Sequence, residues 1–142
     1  MTRPSAVLLD TCALIWFAER ALSPPIIDAL EHAAMADGVF VSPVSAWEIG
    51  FLTNPRGNRP IMQLLPDPQS WFANVMARRE IRQAPLTPAA ALGASYLPEP
   101  IHGDPADRLL IATAREMKAA IATSDRKILD YAALGHVQAL AC

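Results

Sequence analysis

The apolar positions of this chain fall in short blocks that switch repeatedly between a strand-like and a helix-like pattern. Residues 6–9 form a continuous apolar run closed by Asp10, the pattern of a strand buried on both faces. Residues 11–19 follow with apolar side chains nearly all round and predict a helix. Ser23-Pro24 joins an N-cap residue to a proline suited to the first helical position, opening a helix to about Asp37-Gly38. Residues 39–41 are a second strand and residues 43–52 a helix, stopped by Asn54-Pro55. Residues 54–66, rich in Pro, Gly and Asn, read as a loop. Asp67-Pro68 repeats the cap-then-proline signal and predicts a helix through about Glu80. Residues 81–86 form a weak strand, which Pro85 marks as an edge or as ending early. Thr87-Pro88 opens a short alanine-rich helix that stops before Pro98, and Asp104-Pro105 a longer one through Lys118. A strand at 120–123, a helix at 126–133 and a last short strand at 137–140 complete the pattern.

Strand and helix alternating in this way imply a parallel sheet with helices on both faces, a three-layer α/β/α arrangement. The 142 residues suit a single domain with room for a real core. Ligands of such sheets bind beyond the carboxyl ends of the strands. Asp10 and Asp125 fall at strand ends there, and Glu48 and Asp107 lie on helices that start from the same rim.

Four carboxylates gathered in one pocket would repel severely. Two unit charges about 4 Å apart cost roughly 4 kcal/mol at an effective dielectric near 20. Helix N-termini return only about 0.3–1 kcal/mol per carboxylate, so a cation is required at neutral pH. Hard oxygen donors with few nitrogens or sulfurs select Mg²⁺ or Mn²⁺. The chemistry that follows is metal-assisted phosphodiester hydrolysis. One ion on Asp10 and Asp107, with Glu48 or Asp125, would lower the pKa of a bound water; the residues leave open whether one ion or two bind, a second about 3.5–4 Å away being suited to stabilise the leaving oxygen. Thr11, Thr123 and Ser124 are placed to order water or a carboxylate behind the ligands. In the run Asp104-Pro105-Ala106-Asp107, Pro105 at the first helical position makes Asp104 the N-cap, leaving Asp107 to point back toward the strand ends.

Local readings compete with these. Asp10 and Asp125 are each adequate as plain helix caps. Asp10 also suits a phosphoacceptor, although the dehalogenase-type nucleophile pattern wants a second Asp where Cys12 stands. Glu48 is harder to explain structurally, since it follows Trp47 in an otherwise apolar helix. His102 reads as a loop histidine, and Trp16, Trp47 and Trp71 as core or interface residues. A solvated face is the default for Arg56 and Arg59 in the loop and for Arg78, Arg79 and Arg82, with contact to an RNA phosphate backbone the lesser alternative for the loop pair. Arg108 and Arg126 follow two of the acids and are placed to moderate their charge.

Composition narrows the setting. Hydrophobic residues make up 52% and charged ones 18%, which excludes a disordered chain. No apolar run reaches the roughly 18 residues of a membrane span. The start Met1-Thr2-Arg3-Pro4-Ser5 lacks a signal-peptide core, and two unrelated cysteines, Cys12 and Cys142, suggest free thiols in a reducing cytoplasm. A net charge of −2 argues against a dedicated DNA-binding domain, though an acid-lined enzyme can still hold RNA through metal and local arginines.

The segments Val7-Leu8-Leu9-Asp10-Thr11, Ser45-Ala46-Trp47-Glu48-Ile49, His102-Gly103-Asp104-Pro105-Ala106-Asp107-Arg108-Leu109-Leu110-Ile111-Ala112 and Thr123-Ser124-Asp125-Arg126-Lys127-Ile128-Leu129 together resemble the four motifs of PIN-domain ribonucleases. The similarity is greatest to VapC-type toxins of bacterial toxin–antitoxin pairs. Each motif is weak alone; all four in order, from Asp10 to Tyr131, are a strong signal. The resemblance implies a Rossmann-like, mostly parallel sheet and Mg²⁺, with Mn²⁺ able to substitute. It further implies endonucleolytic RNA cleavage at Asp10, Glu48, Asp107 and Asp125, a homodimer, and a cognate antitoxin whose segment occupies the acid pocket. Rival readings are a catalytically silent module that binds RNA or protein, and a Mg²⁺-dependent phosphatase of small molecules.

Overall fold

The structure is a computed structural model that describes residues 3–142; Met1 and Thr2, on which part of the signal-peptide reading falls, lie outside the described residues. Its centre is strand β1 (Ala6–Leu9), flanked by β2 (Gly38–Val41) and β4 (Ala120–Thr123), with β3 (Ile81–Gln83) and β5 (Gln138–Ala141) at the edges. Every pairing in the order β3-β2-β1-β4-β5 is parallel, where the motif resemblance implied a mostly parallel sheet. The helices among the described residues are α1 (Thr11–Ala18), α2 (Pro24–Ala34), α3 (Pro43–Thr53), α4 (Pro68–Met76), α5 (Pro88–Gly93), α6 (Pro105–Met117) and α7 (Arg126–Ala133).

The period-2 alternation within β1 divides the core. Val7 and Leu9 pack with Leu14 of α1, Leu30 of α2 and Val75 of α4, whereas Leu8 packs with Leu110 and Ile111 of α6 and Ile128 of α7. Both faces are therefore covered, which is why the strand carries no polar residue before its end. Leu8 and Leu9 are fully buried, and each such burial contributes about 1.5–3 kcal/mol.

Some boundaries differ from those read in the sequence. α4 stops at Met76 and not near Glu80, because Ala77 caps it and the bonds Arg78 N–H to Val75 O and Ile81 N–H to Arg78 O turn the chain back to the sheet edge. β3 ends at Gln83, short of Leu86, and β5 starts one residue late. α2 ends at Ala34, and Gly38 begins β2 at φ +119°, a conformation open to glycine, with the Phe40 ring 3.0 Å from where a Cβ would stand. Ser23 holds the N-cap position of α2 without a side-chain cap bond.

Candidate active site

The sheet register brings the acids together. Leu9 pairs with Ala122 on one side and Val41 on the other, so Asp10 and Ser42, just past their strands, and Thr123, the last residue of β4, share one rim. Asp10 is buried, donates its N–H to Ala122 O, and caps α1 by accepting from Ala13 N–H at 2.8 Å. Desolvation pushes its carboxyl above the ordinary range, the Thr123 and Ala13 bonds pull the other way, and the charges of Asp107 and Asp125 add to the rise. Thr123 also accepts the N–H of Asp125.

Ser42 caps α3 through Val44 N–H, and the helix carries Glu48 toward α1. There the hydroxyl of the buried Thr11 meets Glu48 Oε1 at 2.5 Å and stands 3.1 Å from Ser45 Oγ. A hydroxyl has one proton, and the carboxylate is the stronger acceptor, so Thr11 donates to Glu48. Burial raises the Glu48 pKa; the Thr11 bond lowers it, and Asp107, Asp104 and Asp10 raise it further.

On α6, Asp104 is the N-cap, accepting the N–H of Asp107 at 2.9 Å. Asp107 is largely buried, and its Oδ2 lies 2.8 Å from Nε2 of His102. Desolvation lifts its pKa, the His102 bond opposes that, and Asp104 and Asp125 reinforce it. Asp125 is exposed at the start of α7 and caps it through Lys127 N–H. Ser124 is exposed and makes no side-chain bond among the described residues.

Asp10, Glu48 and Asp107 thus each feel neighbouring acids, and the exposed Cys12 thiol is raised first by desolvation and then by Asp10, Glu48, Asp125 and Asp107. No lysine or arginine is among the groups that most shift Asp10, Glu48 or Asp107. The donor set, oxygen-rich and mutually repelling, fits a divalent cation of the Mg²⁺ kind. The acids stand at electrostatic and not at coordination range: among the described residues, no three acidic, histidine or cysteine side chains converge closely enough to grip an ion as they are. Cavities of about 1300 and 470 Å³ lie elsewhere, the first at the amino ends of the strands and the second under α1 and α2.

The model of the PIN domain matches residues 7–134, a span holding all four acids. The chain belongs to the PIN-domain family. Over 126 residues it is 32% identical to Ribonuclease VapC22 of Mycobacterium tuberculosis, covering 87% of this chain and 90% of VapC22. Among solved structures it resembles VapBC2 from Rickettsia felis bound to a promoter DNA fragment, with TM-score 0.66, 11% identity, and 96% of this chain and 98% of that one covered. It also resembles FitAcB from Neisseria gonorrhoeae, with TM-score 0.53, 16% identity, and 94% and 96% covered. At such identities the structural likenesses speak for the PIN fold alone.

Within this PIN domain several side chains differ from their sequence reading. Arg108 does not moderate acid charge; its guanidinium bonds the carbonyls of Ala94 at 2.8 Å and His102 at 3.5 Å. Arg126 makes an exposed 4.0 Å pair with Asp130. Arg59 donates to Phe51 and Asn54 carbonyls and Arg56 stacks on Phe51, so both brace the end of α3. Arg78 leaves the solvated face to stack on Phe17. Trp16 and Trp71 pack on the core, while Trp47 is 51% exposed against Phe51. One partner was missed, Ser45, buried beside Thr11, and His102, read as a loop histidine, instead bonds Asp107. Ser45 sits three residues before Glu48, the helical spacing that signals a shared face.

Proposed function

We propose that this chain is a Mg²⁺-dependent endoribonuclease, the toxin of a VapBC-type pair. The observation that carries the reading is the gathering at one rim of the buried Asp10 and the partly buried Glu48 and Asp107, all raised first by desolvation and then by neighbouring acids, with no lysine or arginine among the groups that shift them most. A protein gains nothing by burying unpaired like charges unless a ligand neutralises them. Asp10, Glu48, Asp107 and Asp125 would hold the ion, and Mn²⁺ would substitute. When bound, such an ion supplies a nucleophilic hydroxide at neutral pH and offsets charge on the phosphoryl oxygens. Thr11 orients Glu48 by its hydroxyl, Thr123 orients Asp10, and Asp104 fixes the start of the helix that presents Asp107. Kinship with VapC22 supports RNA as the substrate, single-stranded or looped RNA being the more accessible form. The VapBC2 neighbour supports an antitoxin partner, and the homodimer rests on the motif resemblance alone.

Incubation of the purified protein with a structured RNA tests this reading. Internal cleavage with Mg²⁺, lost in EDTA and restored by added Mg²⁺, is the expected result. Cleavage that persists in EDTA, or a folded protein inert on every RNA tried with Mg²⁺ and Mn²⁺, would overturn it.

A further inference from the structure

The geometry points to His102 as the positioning residue that aims the Asp107 carboxylate and so sets the divalent-cation affinity of the acid cleft. This rests on the metal reading above. Nε2 of His102 lies 2.8 Å from Oδ2 of Asp107, and the two side chains are only 14% and 16% exposed. A ring nitrogen that close to a carboxylate oxygen must donate, since two acceptors would repel. The bond engages Oδ2 and leaves Oδ1 for another partner. Asp107 needs such a restraint, because Asp104 and Asp125 both press on it with like charge.

The loop that presents His102 is itself pinned. Tyr131 Oη donates to Pro98 O at 2.9 Å, and Ile101 N–H donates to Glu99 Oε2 at 3.1 Å. Arg108, the residue after Asp107, donates to the carbonyls of Ala94 and of His102 itself. The helical turn that carries the acid therefore also grips the loop that orients it. An arrangement of this kind holds one rotamer of Asp107, whereas an unbraced loop histidine would follow the carboxylate wherever it turned.

Partners that orient a metal-binding carboxylate typically alter metal affinity about 10–100-fold when removed. The experiment measures Mn²⁺ binding by the electron paramagnetic resonance of the free ion, on the full chain. It compares the wild type with His102→Leu, His102→Gln and Asp107→Asn, with near-ultraviolet circular dichroism to verify folding. Leucine keeps bulk without a donor; glutamine restores an amide N–H at similar reach. The expected result is a His102→Leu affinity about 10–100-fold weaker than wild type, with His102→Gln within about threefold of it. Wild-type affinity in folded His102→Leu, beside a loss in Asp107→Asn, would overturn the inference and leave the metal reading standing. Equal weakening in the leucine and glutamine variants would overturn it too, since ring packing and not the donor would be responsible. A wild type that binds no Mn²⁺, or an Asp107→Asn variant that binds as well as wild type, would remove the metal reading and the inference with it. If His102→Leu fails to fold, His102→Gln decides: retained affinity supports the donor role, and a loss of tenfold or more refutes it.

Discussion

Asp104 and Asp107 lie three residues apart on one helix start and are held in different ways. The Asp104 carboxylate accepts the Asp107 N–H, whereas the Asp107 carboxylate turns to His102. Asp104→Ala should cost about 1 kcal/mol of stability, as a lost cap does, and retain measurable cleavage. Asp107→Asn should remove cleavage with little change in melting. Paired melts and cleavage assays decide this, and the opposite pattern would exchange the two roles. At Asp10 and Glu48 the amide variants keep the structural bonds: asparagine still caps Ala13 N–H, and glutamine still accepts from Thr11. Asp10→Asn and Glu48→Gln should therefore lose activity while melting at or above the wild-type temperature. Near wild-type cleavage by either would remove that residue from the site. The capping role of Asp104 was legible because proline after aspartate is a local signal. His102 was not, because its partner is chosen by the path of the pinned loop, which no spacing rule encodes.

Among the elements, those whose ends carry a cap and a proline kept their predicted starts: α3, α4, α5 and α6 all begin with proline directly after the N-cap residue. Ends were less legible. α4 stops four residues early since its C-terminal turn serves the return to β3, a tertiary requirement. The same distinction applies at Gly38, where helix α2 gives way to β2. Its φ of +119° strains any L side chain, and a Cβ there would stand 3.0 Å from the Phe40 ring, closer than packed side chains ordinarily approach. Gly38→Ala should destabilise by about 1–3 kcal/mol, read as a lower midpoint in urea with an unchanged slope. A midpoint equal to wild type would show that β2 can shift to relieve the strain.

At the scale of the whole molecule, the acid cleft couples stability to pH and to metal. Asp10, Glu48 and Asp107 are raised above their ordinary values of 3.8, 4.5 and 3.8, chiefly by desolvation. The folded state then binds protons more tightly than the unfolded chain, so stability falls as pH rises through the raised values. In the metal-free protein the stability these acids contribute should be lost as pH rises from the ordinary carboxylate range upward, and Asp10→Asn should flatten that fall. At pH 7.5, Mg²⁺ at a hundredfold excess over its Kd should add about 2.7 kcal/mol beyond a matched NaCl control. A melting temperature that rises with pH in EDTA, or that ignores Mg²⁺, would contradict a coupled acid cleft.

The sequence by itself determined the order of elements and the two-faced burial of β1, because apolar periodicity and cap signals act over a few residues. It also determined that acids would stand at the ends of strands and the starts of helices, since a polar residue closes each buried run. Only the tertiary structure decided which of those ends meet. The strand order β3-β2-β1-β4-β5 places β4 beside β1 although more than a hundred positions of chain separate their ends in the sequence. That pairing sets Thr123 against Asp10, and the packing of α3 on α1 sets Glu48 against Thr11. Arg108, read as a neighbour of charge, became the anchor of a loop, because the direction of a long side chain depends on which carbonyls the fold brings within its reach.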